Sequence, residues 1–381
     1  MAIDPDVQVE LDALSGRVSV LEADGSGDGS VSITDFGGGP DKTPAVNVAA
    51  LHDALAAADG YKPVKIPRVD GSGEYWFDAP IVWREKDEAW IVGAGGSPHR
   101  PGSWLKLAGG GAFTFLDFAG NRGARFTDLS ISASDAGFTG TLLDFGGTDT
   151  REAKENTLDR YLLLGGGAGA GLSLQFSHGH AFRDGHIMGL GIGILGYPPG
   201  AVFPQSASNI HQWDRVKFFR NAQASIVNPG GLWLLNSPIF QGWGDTPSPP
   251  DPGSDWSHPA VRFDGDDGDG ASAFQVHNAS YVDTVAGVGF EVKGQAWVFS
   301  GAFSCVPGSG ENPPEHVTIK VVDRVDGLDM SGLDWFGYPP GVAVDLGNGL
   351  VSNYRPGNYG IPGDWSTHPD PERGSLIRSR N

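Results

Sequence analysis

Carboxylates beside arginines are the residues of this sequence whose types and spacing suggest chemistry. Cleavage of a glycosidic bond needs two carboxyl groups flanking the bond, one of them with a raised pKa. The chain has 46 acidic residues, so spacing alone does not select a pair. Asp184 beside Arg183 and Asp214 beside Arg215 are the catalytic candidates, and a surface ion pair is the alternative for each.

Tryptophans indicate a second kind of chemistry, the binding of ligands by stacking on flat rings. Residues 245–259 (DTPSPPDPGSDWSHP) cannot form a core strand, because proline removes the donors of a strand ladder. They predict a projecting loop, so Trp243, Trp256 and His258 are the glycan-binding candidates. Six indoles of the second half of the chain are each either such a platform or core packing: Trp213, Trp233, Trp243, Trp256, Trp297 and Trp335.

Charge and cysteine content exclude several classes of protein. The net charge is −20 and no cluster of Lys and Arg occurs, so no nucleic-acid partner is expected. Cys305 is the one cysteine, which excludes an intramolecular disulfide framework. No apolar run reaches the length of a membrane span, and the acidic N-terminus does not look like a signal peptide.

No cofactor or metal site is expected. Residues 264–270 (DGDDGDG) have the composition of a calcium loop, but Gly268 interrupts the alternate oxygen ligands, so an acidic turn is favoured over a calcium site. Three histidines lie close together in sequence, and we expect them to stack or shape turns, with a general base as the alternative: His178, His180 and His186.

Residues 1–23 predict a separate oligomerisation helix. The apolar residues are spaced four, three, four and three apart, the pattern of a heptad repeat: Val7, Leu11, Leu14, Val18 and Leu21. An acidic Gly/Ser linker over 24–30 would let this helix stand clear of the body. We expect a coiled coil, with packing against the body as the alternative, and the heptads do not fix the number of chains.

Residues 31–83 predict a helical lid on a stack of strands. Thr43 and Pro44 are typical of a helix start, and Asp59 with Gly60 is typical of its end, which gives a helix over 44–59. Short β-rich runs follow, at 64–66, 75–77 and 81–83. A helix with one apolar face needs later strands to bury that face.

In the later part of the chain, similar short β-rich runs recur at uneven spacing. Asp or Asn recurs in similar short runs, at positions 128, 159, 184, 214 and 236, so the steps are 31, 25, 30 and 22 residues. A coil of three short strands per turn, joined by variable loops, gives such spacing. We expect these side chains to bond turn backbone at equivalent corners, with a carboxylate ladder that grips substrate as the alternative.

The order of elements resembles the entrance of right-handed parallel β-helix proteins of the pectate-lyase-like superfamily, which bacteriophage tail spikes also use. The matching stretches are 31–37, 51–58, 64–67, 73–75 and 80–82. The resemblance implies an all-β fold, a single-stranded right-handed parallel β-helix over 31–345, capped by the helix at 44–59. The remaining residues, 346–381, are expected to form an irregular C-terminal cap.

The resemblance also implies a function. A homotrimeric tail spike or minor tail fibre, made in the host cytoplasm and carried in the virion, would contact other phage tail proteins and bacterial surface polysaccharide. The alternatives are a polysaccharide depolymerase on the same scaffold, either a hydrolase or a lyase, and an architectural tail subunit without a ligand. Residues 156–159, 178–180 and 215–217 match the polygalacturonase motifs of the superfamily only in part.

Overall fold

Among the residues that the structure describes, 54% lie in strands, and the strands pair in parallel. The computed structural model describes residues 29–69, 71, 73–95, 102–133, 135–166, 169–197, 208–241, 260–264, 271–279, 282–283, 288–304, 317–336, 342–346, 351–355 and 377–378. A short 3-10 helix, Ile33–Phe36, and one α-helix, α1, Pro44–Ala58, precede the stack of strands. The strands are β1 (Val31–Ser32), β2 (Pro63–Ile66), β3 (Glu74–Phe77), β4 (Ile81–Val82), β5 (Trp90–Gly93), β6 (Ser103–Leu107), β7 (Thr114–Asp117), β8 (Arg125–Ala133), β9 (Thr141–Asp144), β10 (Ala153–Lys154), β11 (Thr157–Leu164), β12 (Ala170–Ser173), β13 (Ser177–His178), β14 (Ala181–Arg183), β15 (His186–Met188), β16 (Ile192–Leu195), β17 (Ser208–Asn209), β18 (His211–Asp214), β19 (Lys217–Phe219), β20 (Ala224–Val227), β21 (Trp233–Asn236), β22 (Ile239–Gln241), β23 (Val261–Arg262), β24 (Ala271–Ser272), β25 (Phe274–His277), β26 (Val282–Asp283), β27 (Val288–Ser304), β28 (Val317–Phe336), β29 (Val342–Asp345), β30 (Val351–Arg355) and β31 (Ile377–Arg378).

The first strand is only two residues long. Strand β1 ends at Ser32, and the chain turns at once into the 3-10 helix. The Ser32 hydroxyl accepts the N–H of Thr34 at 3.3 Å, and the Ser32 N–H donates to the Asp35 carboxylate at 2.9 Å. This reciprocal cap favours a helical turn over continued strand, which alternation of apolar residues alone does not reveal.

Helix α1 is the predicted lid. It starts at Pro44 after Thr43 and ends where Asp59 adopts a left-handed conformation with φ of 47°. Its inner face, including Leu51 and Leu55, is fully buried against the first strands. Buried Asn47 joins the helix to the preceding loop and to β3. Its Oδ1 accepts the Gly39 N–H at 2.9 Å, and its Nδ2 donates to the Trp76 carbonyl at 3.1 Å. The prediction of a helix over 44–59 is confirmed to within one residue.

Most strands stack in three columns that form the faces of a parallel β-helix, and β10, β13 and β17 form a separate short parallel ladder. Face A contains β1, β2, β5, the start of β8 and β11, then β14, β18, β21 and β25. Face B contains β3, β6, the ends of β8 and β11, then β15, β19, β22 and β26. Face C contains β4, β7, β9, β12, β16, β20 and β23, and continues through β27, β28, β29 and β31.

Apolar side chains of equivalent positions stack on one another inside the coil. On face A the rings of Phe182 and Trp213 lie 3.9 Å apart between centroids, and on face B the rings of Phe218 and Phe240 lie 5.0 Å apart. All four are buried. Offset ring stacking adds to the free energy gained by burying these large side chains. The interior is therefore a set of continuous apolar columns.

Parallel pairing extends past residue 345, where the sequence analysis ended the β-helix. Val351–Arg355 pairs with β28 and Ile377–Arg378 pairs with β29. The sequence there is rich in turn-forming residues, which hides two short strands that add to existing ladders.

A ladder of buried polar side chains follows the internal corner that precedes face A. Asn121 and Asn156 each accept a backbone N–H of the preceding turn through Oδ1 at 2.8 Å. The Asn156 N–H then donates to His180 Nδ1 at 3.0 Å, and the His180 N–H donates to His211 Nδ1 at 3.2 Å. The two imidazoles are stacked with centroids 4.9 Å apart. The expected stacking role is therefore confirmed for His180.

The hydrogen bonds of this buried Asn–His ladder keep both histidines neutral. Because an N–H points at each Nδ1, the ring proton resides on Nε2, where His180 donates to the Phe145 carbonyl at 2.9 Å and His211 donates to Ser208 Oγ at 2.8 Å. Burial lowers the pKa of His180 to about 3 and holds the pKa of His211 well below its ordinary value. A proton on either Nδ1 would also remove an acceptor from the ladder.

Replacement of His180 by asparagine should flatten the acid dependence of stability. An unfolded histidine titrates near ~6.5, so protons bind the unfolded chain preferentially from there down to about 3, and stability falls as pH falls through this window. Asparagine can accept the same N–H, as Asn156 does. The loss of unfolding free energy between pH 6.5 and 4, measured by denaturant titration, should shrink by roughly 2 kcal/mol in His180→Asn.

The matched control for that experiment is His52→Asn, which removes a histidine from helix α1 outside the ladder. An unchanged acid dependence in His180→Asn would contradict the assignment of the neutral ring.

Candidate functional site

The two catalytic candidates from the sequence lie together on the outside of the coil, at the corner between faces A and B. Arg215 donates two hydrogen bonds to the Asp184 carboxylate, through Nε at 2.6 Å and through Nη2 at 2.9 Å. Arg215 Nη1 lies 2.5 Å from Asp214 Oδ2. One guanidinium therefore bridges both carboxylates, with Asp184 on one turn and Asp214 on the next.

The same arrangement occurs earlier along the corner. Arg160 donates to Asp128 through Nε at 2.7 Å and Nη2 at 2.8 Å, and its Nη1 lies 2.5 Å from Asp159. We name the whole row the Asp–Arg ladder, and it consists of Asp128, Asp159, Arg160, Arg183, Asp184, Asp214, Arg215 and Asn236. It spans successive turns of the outer surface.

The positions of the Asp–Arg ladder differ from those predicted for the recurring Asp and Asn side chains. Only Asp128 and Asp184 occupy the corner itself, with φ of 56° and 50°, whereas Asp159, Asp214 and Asn236 lie one residue earlier on the strand. The prediction that these side chains bond turn backbone at equivalent corners is therefore wrong: three of them lie off the corner, and Asp128 and Asp184 bind arginine side chains instead. Asp159 and Asp214 each bind the arginine that follows them in sequence, which also reaches the aspartate of the turn before. Asn236 donates to Asp214 on the neighbouring turn at 2.9 Å, because in-register stacking brings these side chains within reach.

The charge state of Asp184 suits binding better than proton donation. The hydrogen bonds from Arg215 hold the pKa of Asp184 below its ordinary value, so the carboxyl is ionised at neutral pH. An acid catalyst for glycoside cleavage needs the opposite shift. The ladder instead offers fixed carboxylate acceptors and guanidinium donors to a ligand with hydroxyl groups.

A different carboxylate pair has the electrostatics of an acid catalyst. Asp117 and Asp144 are in-register neighbours, and each is the last residue of its strand, β7 or β9, on face C. Arg84 binds Asp117, with Nε 2.8 Å from both carboxylate oxygens. Burial, and to a smaller degree the charge of Asp117, raise the pKa of half-buried Asp144 to about 6. The pair thus combines a carboxylate that is bound by an arginine with a carboxyl whose pKa is raised.

The sequence analysis missed this pair because nothing local marks it. Asp117 and Asp144 each end an ordinary strand, and only the lengths of the intervening loops align them. Each strand has two adjacent buried apolar residues before its aspartate instead of an alternating pattern, so strand periodicity does not indicate which side chains face outward.

The tryptophans divide between the core and the surface. Trp213, Trp233 and Trp297 are fully buried, so they are core packing. Further indoles lie in the first turns: Trp76, Trp90 and Trp104 point outward, whereas partly buried Trp83 packs against the core.

Several predicted site residues lie outside the described residues. These are the glycan-binding candidates Trp243, Trp256 and His258 and the heptad positions Val7, Leu11, Leu14, Val18 and Leu21. Of the acidic turn at 264–270, only Asp264 is described. Within the described ranges, no group of three or more metal-ligating side chains occurs, and no helix is long and apolar enough to cross a membrane.

Comparison with solved structures agrees with the fold. The tailspike protein 2 enzymatically active domain of bacteriophage CBA120 matches with a TM-score of 0.56 and 10% identity, over 82% of this chain and 43% of that one. The catalytic unit of a Streptomyces thermodiastaticus GH87 alpha-1,3-glucanase matches with a TM-score of 0.50 and 15% identity, over 87% and 69%. The A-module of the Azotobacter vinelandii mannuronan C-5 epimerase AlgE4 matches with a TM-score of 0.50 and 14% identity, over 82% and 90%.

These likenesses define the class of fold. The chain is a right-handed parallel β-helix, as the resemblance predicted, and phage tailspikes are among its structural neighbours. This chain spans less than half the length of the matched tailspike. No protein-family model matches it, and no curated protein matches its sequence.

Replacement of Asp144 by asparagine should stabilise the protein at neutral pH. A carboxyl with a raised folded pKa binds protons preferentially in the folded state, so its contribution to stability is lost as pH rises from ~4 to 6. An asparagine at this position needs no proton and keeps an oxygen for the Gly146 N–H, which Asp144 accepts at 2.7 Å. The stability of Asp144→Asn relative to the native chain should rise by roughly 2 kcal/mol between pH 4 and pH 7.

Asp184→Asn is the matched comparison, and its effect should have the opposite sign. The pKa of Asp184 is lowered, so ionisation stabilises the fold above the unfolded pKa, and the variant should lose stability as pH rises. Denaturant titrations of both variants across this range provide the measurement. A flat difference for Asp144→Asn would contradict the raised pKa.

Proposed function

We propose that this chain is a bacteriophage tail spike or minor tail fibre subunit that contacts bacterial surface polysaccharide during adsorption. The observation that carries the proposal is the Asp–Arg ladder, a continuous polar row on the outside of a β-helix. The likeness of the fold to a phage tailspike supports it. The protein would be made in the host cytoplasm and act in the virion, on the tail.

The ladder has the chemistry that a polysaccharide needs. Sugar hydroxyls donate to carboxylates and accept from guanidinium groups, and charged partners give the stronger hydrogen bonds. Exposed Gln212 adds another planar hydrogen-bonding group beside the exposed ladder members Arg183 and Asn236 on the outer surface of face A. Because acids and arginines alternate, the row is close to neutral along its length although the chain as a whole is acidic.

Assembly as a homotrimer is part of the proposal. The heptad pattern of residues 1–23 would join the chains, and the outer surface of face B would pack the coils side by side. Face B differs from face A, because half-buried apolar side chains point outward from it: Leu164, Met188, Phe219 and Ile239. Sedimentation of the full chain should give the trimer mass, and a monomer would remove this part of the proposal.

Removal of two ladder arginines should slow adsorption. The double variant Arg183→Ala with Arg215→Ala removes two guanidinium donors from the Asp–Arg ladder. It also removes the cation that lies between Asp184 and Asp214. Phage particles that carry this double variant should adsorb to host cells about tenfold more slowly, since interface arginines often contribute this much.

The control for the adsorption experiment is Arg324→Ala, an exposed arginine outside the ladder. Particle yield and the sedimentation of the purified variant show whether assembly is intact. Normal adsorption of intact particles that carry the double variant would remove the ladder from the proposal.

A second candidate function is polysaccharide cleavage, which the Asp117–Asp144 pair favours. Glycoside hydrolysis uses a carboxyl with a raised pKa together with a second carboxyl group nearby, and Asp144 with Asp117 offers this arrangement. Strands in register are about 4.8 Å apart, close to the separation of about 5 Å between the carboxyl groups of retaining enzymes. Asp184 and Asp214 remain the weaker catalytic candidates, because Arg215 binds both of them.

Incubation with host surface polysaccharide separates binding from cleavage. A hydrolase releases new reducing ends and a lyase releases unsaturated uronates, whereas a binding protein releases neither. If cleavage occurs at Asp117–Asp144, Asp144→Asn should lower the rate at least a hundredfold, and Asp184→Asn should leave it within a few-fold. The reverse result would place cleavage at the ladder.

A further inference from the structure

Two outward indoles lie near each other in the first turns of face B. Trp76 belongs to β3 and Trp104 to β6, and both are half-buried. Their strand neighbours Tyr75 and Leu105 are fully buried in the core. Because successive side chains of a strand alternate between its faces, the indoles lie on the outside of the coil.

A paired ammonium group lies between these rings. Lys106 Nζ is 5.1 Å from the ring centroid of Trp76 and 5.2 Å from that of Trp104. The same atom is 2.7 Å from Glu74 Oε1. In-register pairing places Glu74 beside Trp104 and Trp76 beside Lys106. The four side chains therefore form a compact outer patch with no net charge.

The next turn adds an unsatisfied hydroxyl group beside the patch. Ser130 is the in-register neighbour of Trp104, and Ser132 is the neighbour of Lys106. Ser130 is 1% exposed, and its Oγ has no hydrogen-bond partner among the described residues. An unpaired buried hydroxyl is costly, and a ligand hydroxyl that reaches it would recover a hydrogen bond.

We propose that Trp76, Trp104, Lys106, Glu74 and Ser130 form a binding site for an uncharged oligosaccharide. This inference rests on the proposed function and names the site and the class of sugar. A pyranose ring has an apolar C–H face that packs on an indole and hydroxyl edges that reach the ammonium, the carboxylate and the serine hydroxyl.

Charge selects a neutral sugar over a uronate polymer. Glu74 already neutralises Lys106, so the patch has no free cation for a carboxylate. The net charge of −20 also repels a polyanion at long range. Burial of the patch against a second copy of the chain is the competing use of these indoles, and the test below separates it.

The test measures binding of the full chain by affinity electrophoresis in gels that contain dextran, α-1,3-glucan, mannan or alginate. The native chain should bind at least one neutral polymer in preference to alginate. The double variant Trp76→Ala with Trp104→Ala should bind about tenfold or more weakly, because interface tryptophans often contribute this much. Trp104→Phe, which keeps a ring, should recover part of the affinity.

The matched control is Trp90→Ala, which removes an outward indole, 37% exposed, from face A. Equal affinity of the double variant and the native chain would overturn the site and leave the proposed function standing. A preference for alginate that is lost in Lys106→Met would overturn the choice of a neutral sugar.

Two further outcomes have distinct meanings. Sedimentation that shows a smaller oligomer for the double variant, with unchanged sugar binding per chain, would assign the patch to contact between copies and overturn the proposal. Failure of the native chain to bind any of these polymers or intact host bacteria would overturn the proposed function itself, and the site with it.

Discussion

In-register stacking of successive turns is the constraint on which the rest of this structure depends. Each backbone strand bonds the equivalent strand of the next turn, so equivalent side chains lie about 4.8 Å apart. Inside, this spacing suits flat rings, as in the stack of Phe182 on Trp213. At the internal corner it lets His180 and His211 each accept a backbone N–H of the turn before.

The same register organises the outer surface into rows of distinct chemistry. Asp184 and Arg215 are 31 residues apart in sequence, yet stacking makes them partners. Face A thereby carries the Asp–Arg ladder, whereas apolar side chains such as Met188 point outward from face B. One scaffold then carries the Asp–Arg ladder on face A and, on face B, outward apolar side chains for assembly in the later turns and the proposed oligosaccharide site at Trp76 and Trp104 in the first turns.

Sequence analysis succeeded where the signals are local. The lid was predicted over 44–59 and is observed at Pro44–Ala58, because capping residues and apolar spacing lie within the helix itself. It failed where loop lengths decide which residues meet: neither the bridge of Arg215 between Asp184 and Asp214 nor the Asp117–Asp144 pair has a local signature. The resemblance to β-helix proteins supplied the architecture, but not the register that places these side chains.

The measurement that tests this register most directly is disulfide formation between engineered cysteines in a Cys305→Ser background. Gln212 and Leu234 are in register on adjacent turns, within the Cα separation of about 4.4–6.8 Å that a disulfide spans. The pair Gln212→Cys with Leu234→Cys should therefore crosslink under mild oxidation. The offset pair Gln212→Cys with Asn236→Cys should not, and peptide mass spectrometry that found the offset crosslink instead would contradict the account.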